Sequence, residues 1–422
     1  MFNKQAYFNF IILMMMVTTF LPVVGNNLPP LIGSFHLYAL IFIGSLLIFE
    51  SKVFLQKNIL VTLLIGFLTL IVFPNTIWWA MDSWNLKSLA YEFYYIIVAL
   101  LIYYYYDTSN NLIRYGRIVN LVLIFIGITS VMTIFSASVD PMYARLLSGG
   151  WYSDESTVNY FKRLGGGTYS TAISIMSLIP MLYFFFRYND FIKYSKTLII
   201  IYAIILIIAL IRMQIFGNIL VGAVVFILSI QGTGKIKISL IYIGLVAIIA
   251  LLIPNNIYAD LLLSLSNYFD KDSEIYYKLT DMSQFILTGK TDTGAGARAA
   301  RFPELLEAFL NSPLFGVFFK NGELYIGAGA HMYWMNRLTT QGIIGFIIFV
   351  QIFYINLKYQ FKSIKNKSFL IYYLLAIGSI IGYGFIKNIA GREAYFMLFF
   401  ILPGIQHLPL VKHKKIFNLK IH

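Results

Sequence analysis

Residues 196–231 read KTLIIIYAIILIIALIRMQIFGNILVGAVVFILSIQ, and only Lys196 and Arg212 among them carry a charge. The stretch is apolar all round, with no polar stripe at helical spacing. A helix of that kind belongs in lipid or in a deep core, not at a water-facing surface. Crossing ~30 Å of hydrocarbon takes roughly 20 apolar residues. Residues 196–212 and 215–231 are therefore two candidate crossings joined by a short connection.

The same signal recurs along the chain. Before this pair it appears at 8–24, 31–50, 59–80, 88–106, 117–137 and 169–186. After it come 237–254, 341–357, 368–386 and 394–411. The expectation is an all-α polytopic membrane protein with about twelve transmembrane helices, one membrane domain over 1–422. Composition agrees: 59% of the chain is hydrophobic and only 12% charged, too little charge to cover a soluble protein of this length. The first run is not a signal peptide, because Val23-Val24-Gly25-Asn26 is a poor cleavage site and further spans follow at once. There is no cysteine, hence no disulfide framework or thiolate metal site, and the five histidines show no ligand spacing. No metal or other cofactor is expected.

The charges give an orientation. With the N-terminus in the cytoplasm, eighteen Lys and Arg lie on that side, against Glu50, Asp107 and Asp190. Lys358, Lys362, Lys365 and Lys367, and the tail Lys412, Lys414 and Lys415, dominate them. The net charge of +14 is then a topology signal, held against an anionic inner leaflet, and not a nucleic-acid footprint.

Most connections are short, but 138–168 and 255–340 are long, and both fall on the outer side. Such loops are where a membrane enzyme can build a site. The second has helical patterns at Ile257–Phe269 and Glu304–Leu310, with Pro303 placed as a first helical residue and Pro313 as a stop. It reads as a folded cap lying partly on the membrane.

All five tryptophans, Trp78, Trp79, Trp84, Trp151 and Trp334, fall at or beyond the outer face. An aromatic belt explains Trp78 and Trp79. For Trp151 and Trp334, loop packing and sugar stacking stand level. The run Tyr103–Tyr106 reads as interfacial. Gly232-Thr-Gly-Lys235 and Gly289-Lys290-Thr291 lack the spacing of a phosphate loop. Asp270, Asp272 and Glu274 read as a solvated turn, not a cation cage.

Four arginines on the outer side are candidate anion ligands. Arg212 ends an otherwise uncharged span, where a charge costs about 2.5–3.5 kcal/mol if deep. A carboxylate such as Glu92, or an anionic ligand, would compensate it. Arg163 precedes Gly165-Gly166-Gly167, which reads either as a flexible loop or as an anion-binding nest of free amides. Arg298 and Arg301 lie in a Gly/Ala-rich turn before the Pro303 helix, where backbone amides and forked guanidinium groups favour anions. A local pair of Arg301 with Glu304 is the alternative. His331 is the only histidine in either long loop.

The series Arg298 or Arg301, Phe309, Ser312-Pro313-Leu314-Phe315-Gly316-Val317, His331 and Gly342-Ile-Ile-Gly345 resembles the signature region of bacterial O-antigen polymerases and ligases. The span number, the large late external loop and the arginine closing the seventh span are similar to that family as well. Phe318 stands where the family often has a second glycine, and Met332 where asparagine often follows the histidine. The resemblance implies a GT-C-like fold in the bacterial plasma membrane and glycan transfer on its outer face, under the 255–340 cap. The partners it implies are an undecaprenyl-diphosphate-linked glycan donor, a second lipid-linked glycan or another lipid as acceptor, and chain-length regulator and flippase proteins. It implies His331 as the base for the acceptor hydroxyl, and Arg212, Arg298, Arg301 and Arg163 on the diphosphate. Trp151 and Trp334 would contact sugar. Displacement would invert the anomeric centre without a metal. The contrasting class is a lipid-linked oligosaccharide flippase or another transporter. Two similar halves and midplane charges would mark it, and neither is visible in the sequence.

Overall fold

A computed structural model describes residues 3–71, 84–147, 155–189, 194–231, 254–271, 273–289, 294–316 and 332–412. Among these residues all regular structure is helical. The order is α1 (Lys4–Phe20), α2 (Pro22–Asn27), α3 (Phe35–Phe49), α4 (Lys57–Ile71), α5 (Trp84–Thr108) and α6 (Leu112–Val139). Then come α7 (Tyr143–Leu147), α8 (Glu155–Leu164), α9 (Tyr169–Arg187), α10 (Lys196–Arg212) and α11 (Phe216–Gln231). The late segment holds α12 (Asn255–Ser266), α13 (Glu274–Thr288) and α14 (Gly294–Asn311), followed by α15 (Tyr333–Ser363), α16 (Lys367–Tyr383) and α17 (Arg392–Val411).

The expected spans fall on these helices, except that 237–253 and the 72–80 part of 59–80 lie outside the described residues. Among the described residues, five helical stretches are long and apolar enough to cross a membrane: Leu89–Thr108, Leu112–Val139, Glu155–Arg187 (α8 with α9), Tyr333–Ser363 and Arg392–Val411. Shorter apolar helices stand beside them, Phe35–Phe49, Lys57–Thr69, Gly217–Gln231 and Lys367–Tyr383 among them.

Successive helices reverse direction, so the bundle has two unlike ends. Helices α1, α4, α10 and α16 all begin at one end, and each begins with lysine: Lys4, Lys57, Lys196 and Lys367. A cation in the first turn opposes the helix dipole. Intrahelical electrostatics therefore does not explain this placement. Polar caps start three of the four: Asn3 accepts from the Ala6 amide, Ser195 from Leu198 and Asn366 from Phe369.

The lysine-rich end has a polar core that the sequence reading missed. Tyr103–Tyr106 are not interfacial; all four are at most 2% exposed. Tyr104 Oη accepts from Asn58 Nδ2 at 2.7 Å and donates to Asn356 Oδ1 at 3.1 Å. Tyr106 Oη donates to Asn9 Oδ1 at 2.7 Å. Nearby, α17 widens into a π turn over Met397–Ile401. Pro403, four residues after Phe399, has no N–H to offer the Phe399 carbonyl. Gln360 Nε2 donates to that carbonyl at 2.9 Å, and Tyr115 Oη donates to the Phe400 carbonyl at 2.5 Å. The freed backbone groups are thus satisfied inside the bundle, as lipid demands.

At the opposite end, α12, α13 and α14 pack in sequence upon one another, and α14 rests on α15. This part of 255–340 is a folded unit of three helices, called the cap below. Two details differ. The last cap helix begins at Gly294, not at Pro303, which sits inside it. Glu274 is not in a solvated turn but opens α13, behind the Ser273 cap that accepts from the Tyr276 amide at 3.2 Å.

Candidate functional site

The first turns of α5 place Tyr91, Glu92, Tyr94 and Tyr95 at the cap-bearing end of the bundle. Glu92 is 1% exposed. Its side chain meets two residues of α15 one turn apart, Tyr333 and Arg337, and one of α17, Tyr395. The spacing i, i+4 puts Tyr333 and Arg337 on one face. The Arg337 guanidinium pairs with Glu92 Oε2. The Tyr333 and Tyr395 hydroxyls both donate to Oε1 and lie 3.0 Å apart. Arg337 also sits over the rings of Tyr333 and Phe349, 5.4 and 5.1 Å from their centroids. Arg337, not Arg212, is therefore the partner of Glu92. Arg212 ends α10, exposed, with no ion pair among the described residues.

The other face of the same α5 turns meets a second basic group. Arg392, the first residue of α17, lies over Phe35 at 4.8 Å and donates to the Thr18 carbonyl at 3.1 Å. Glu393 is 3.8 Å away. His36, beside Phe35, stacks on Tyr94 with centroids 5.5 Å apart. His36, Leu40, Ala90, Tyr91 and Tyr94 line a cleft of about 400 Å³. The sequence offered no signal for this grouping beyond a histidine and an arginine at opposite ends of the chain.

The segments quoted for the family resemblance are joined to each other. At Gly342 the backbone of α15 turns to φ 63°, ψ −178°, which breaks the helix. The carbonyls of Pro313 and Leu314 accept from the amides of Ile343 and Ile344, at 2.8 and 3.2 Å. Gly316 has φ 80°. A Cβ on Gly342 would lie 2.3 Å from the Leu314 oxygen, and one on Gly316 would lie 2.2 Å from the Thr340 oxygen. Both glycines are required by conformation and by close approach. Beside the break, Gln341 is fully buried and its side-chain amide has no hydrogen-bond partner among the described residues.

The remaining candidates fall as follows. His331 and Trp151 lie outside the described residues, as do Trp78 and Trp79. Met332, directly after His331, adopts φ 57°, and its amide donates to the Ile386 carbonyl at 3.4 Å. Trp334 is 7% exposed and its indole N–H donates to the Ile381 carbonyl at 2.7 Å. Its ring packs against Tyr333 and Phe353, so its placement is that of a packing residue. Arg298 and Arg301 stand within α14, not in a turn before it. Arg163 is exposed in the last turn of α8.

The glycines after Arg163 form neither a flexible loop nor a nest. The Gly165 amide donates to the carbonyls of Phe161 and Lys162, and the Gly167 amide to Thr133 Oγ1 at 2.7 Å. A Cβ on Gly165 would stand 2.4 Å from the Val23 backbone, and one on Gly166 would stand 2.6 Å from Ser136 Oγ. The run is a close-packed joint between α2, α6 and α8. Among the described residues no three His, Cys, Asp or Glu side chains gather as a metal site. No family model and no curated protein matches the chain.

Proposed function

We propose that the chain is a polytopic glycosyltransferase that polymerises lipid-diphosphate-linked oligosaccharide repeats at the outer face of a bacterial plasma membrane. In this reading there are twelve crossings in a GT-C-like arrangement, and the lysine-rich end faces the cytoplasm. The observation that supports it best is the backbone pairing of Pro313 and Leu314 with Ile343 and Ile344. It makes one structural unit of the two motif halves that carry the family resemblance.

The chemistry asks little of the protein beyond a base and positive charge. His331 takes the proton of the acceptor hydroxyl as its oxygen bonds to the donor's anomeric carbon. The bond from that carbon to the diphosphate breaks, and the lipid diphosphate leaves with the electron pair. Arg212, Arg298 and Arg301 stabilise its growing charge, each able to engage two oxygens. Arg163 is the weaker member, since the amides beside it are already bonded.

His331→Ala should abolish glycan laddering in cells lacking the native copy while expression and insertion stay normal. Wild-type ladders from that variant would remove the histidine from the mechanism. Transfer by purified protein should survive excess chelator, and Arg212→Lys should slow it. Single cysteines at positions 364 and 290, introduced into a chain that has none, test the orientation. Only the second should react with an impermeant thiol reagent applied from outside.

A further inference from the structure

Away from the cap, α6, α9 and α10 enclose a groove of about 500 Å³ whose walls are almost wholly apolar. That volume is in the range of small-molecule sites, roughly 300–1,000 Å³. Leu123, Leu178 and Leu182 form its floor, all buried. Ile124, Leu198 and Ile201 form its lips and are 48, 59 and 49% exposed. The opening therefore faces the surroundings of the bundle, which for these helices is hydrocarbon.

Two hydrogen-bonded tyrosines line the groove. Tyr194 Oη donates to Asn120 Oδ1 at 2.6 Å at the lysine-rich end. Tyr202 Oη donates to the Leu123 carbonyl at 2.6 Å further along. The Tyr202 ring can lie there because position 127 is glycine; a Cβ would come within 2.8 Å of the ring.

Cations stand at the Tyr194 end. Arg117 is exposed one turn before Asn120, on the face of α6 that lines the groove. Lys196, also exposed, opens α10 and lies over the Phe186 ring at 5.7 Å. The amino end of α10 adds its partial positive charge to theirs.

We propose that this groove is a binding site for an anionic glycerophospholipid, with an acyl chain against Leu123, Leu178 and Leu182. The phosphate meets Arg117, Lys196 and the start of α10, and the glycerol region lies beside Tyr194 and Asn120. Apolar walls exclude a soluble anion, and the two cations select against a zwitterionic headgroup. The inference rests on the chain being embedded in a bilayer and not on glycan transfer, so either reading can fail alone.

The test is native mass spectrometry of the full-length protein released from nanodiscs of phosphatidylglycerol and phosphatidylcholine in equal amounts. Wild-type protein should retain one phosphatidylglycerol in preference to phosphatidylcholine. Arg117→Ala with Lys196→Ala should lower that preference roughly 30-fold, from the effect of two cations near a lipid surface. Ile201→Trp, which fills the mouth, should abolish retention of both lipids; Leu198→Trp serves if that variant melts early. Equal retention of the two lipids by the wild type would overturn the proposal. So would unchanged retention in a folded groove-filling variant.

Discussion

Two of the buried polar networks in the bundle are built differently. At the lysine-rich end, Tyr104 and Tyr106 are tied to Asn58, Asn356 and Asn9 by neutral hydrogen bonds. At the cap end, Glu92 is held by Arg337, Tyr333 and Tyr395. A neutral network can lose one member and keep most of its bonds, since each bond contributes only about 0.5–1.5 kcal/mol net. A buried ion pair cannot, because removal of one partner leaves an uncompensated charge at a cost of about 3–5 kcal/mol. The cap end is thus the part of the molecule whose geometry depends on a single pair of residues.

Arg337→Met should accordingly be the most damaging change, destabilising the detergent-solubilised protein by about 3–5 kcal/mol in thermal unfolding. The double variant Glu92→Leu with Arg337→Met should recover most of that loss, because the unpaired charge is gone. If the double variant is as unstable as the single one, packing and not charge sets the difference between the two networks.

Gly342→Ala should come next. Its φ of 63° and the 2.3 Å approach of a Cβ to the Leu314 oxygen force the docked segment to move. Strain of this kind costs about 1–3 kcal/mol before the clash is counted. The expected signature is earlier proteolysis of the 312–316 segment; cleavage at the wild-type rate would mean that the docking is unimportant.

At the neutral end, Tyr104→Phe should cost about 1–3 kcal/mol, since Asn58 and Asn356 lose a shared buried partner. Tyr105→Phe should have the smallest effect, within about 0.5 kcal/mol. No buried hydrogen bond to its hydroxyl exists among the described residues, although its ring packs on Phe8 and Phe42. Equal losses at 104 and 105 would show that ring packing, not hydrogen bonding, holds this network.

The sequence alone determined which segments are helical and apolar, because lipid imposes length and all-round hydrophobicity on each span independently of its neighbours. It determined the unlike ends as well, since lysines at helix starts are counted along the chain. It also brought out the Pro313–Gly316 and Gly342 segments as a pattern. Pairing was left to tertiary structure. From sequence, Glu92 is matched only with Arg212 and Arg337 is not considered; helix packing sets Arg337 against Glu92 instead. Tyr103–Tyr106 look the same at a headgroup boundary and in a polar core; Asn9, Asn58 and Asn356, from three other helices, make them core. The glycines at 165–167 follow the same logic, for their conformation is set by Val23, Thr133 and Ser136 pressing against them. Local sequence carries periodicity and composition, but contacts between distant segments depend on the packing of whole helices, which no local pattern encodes.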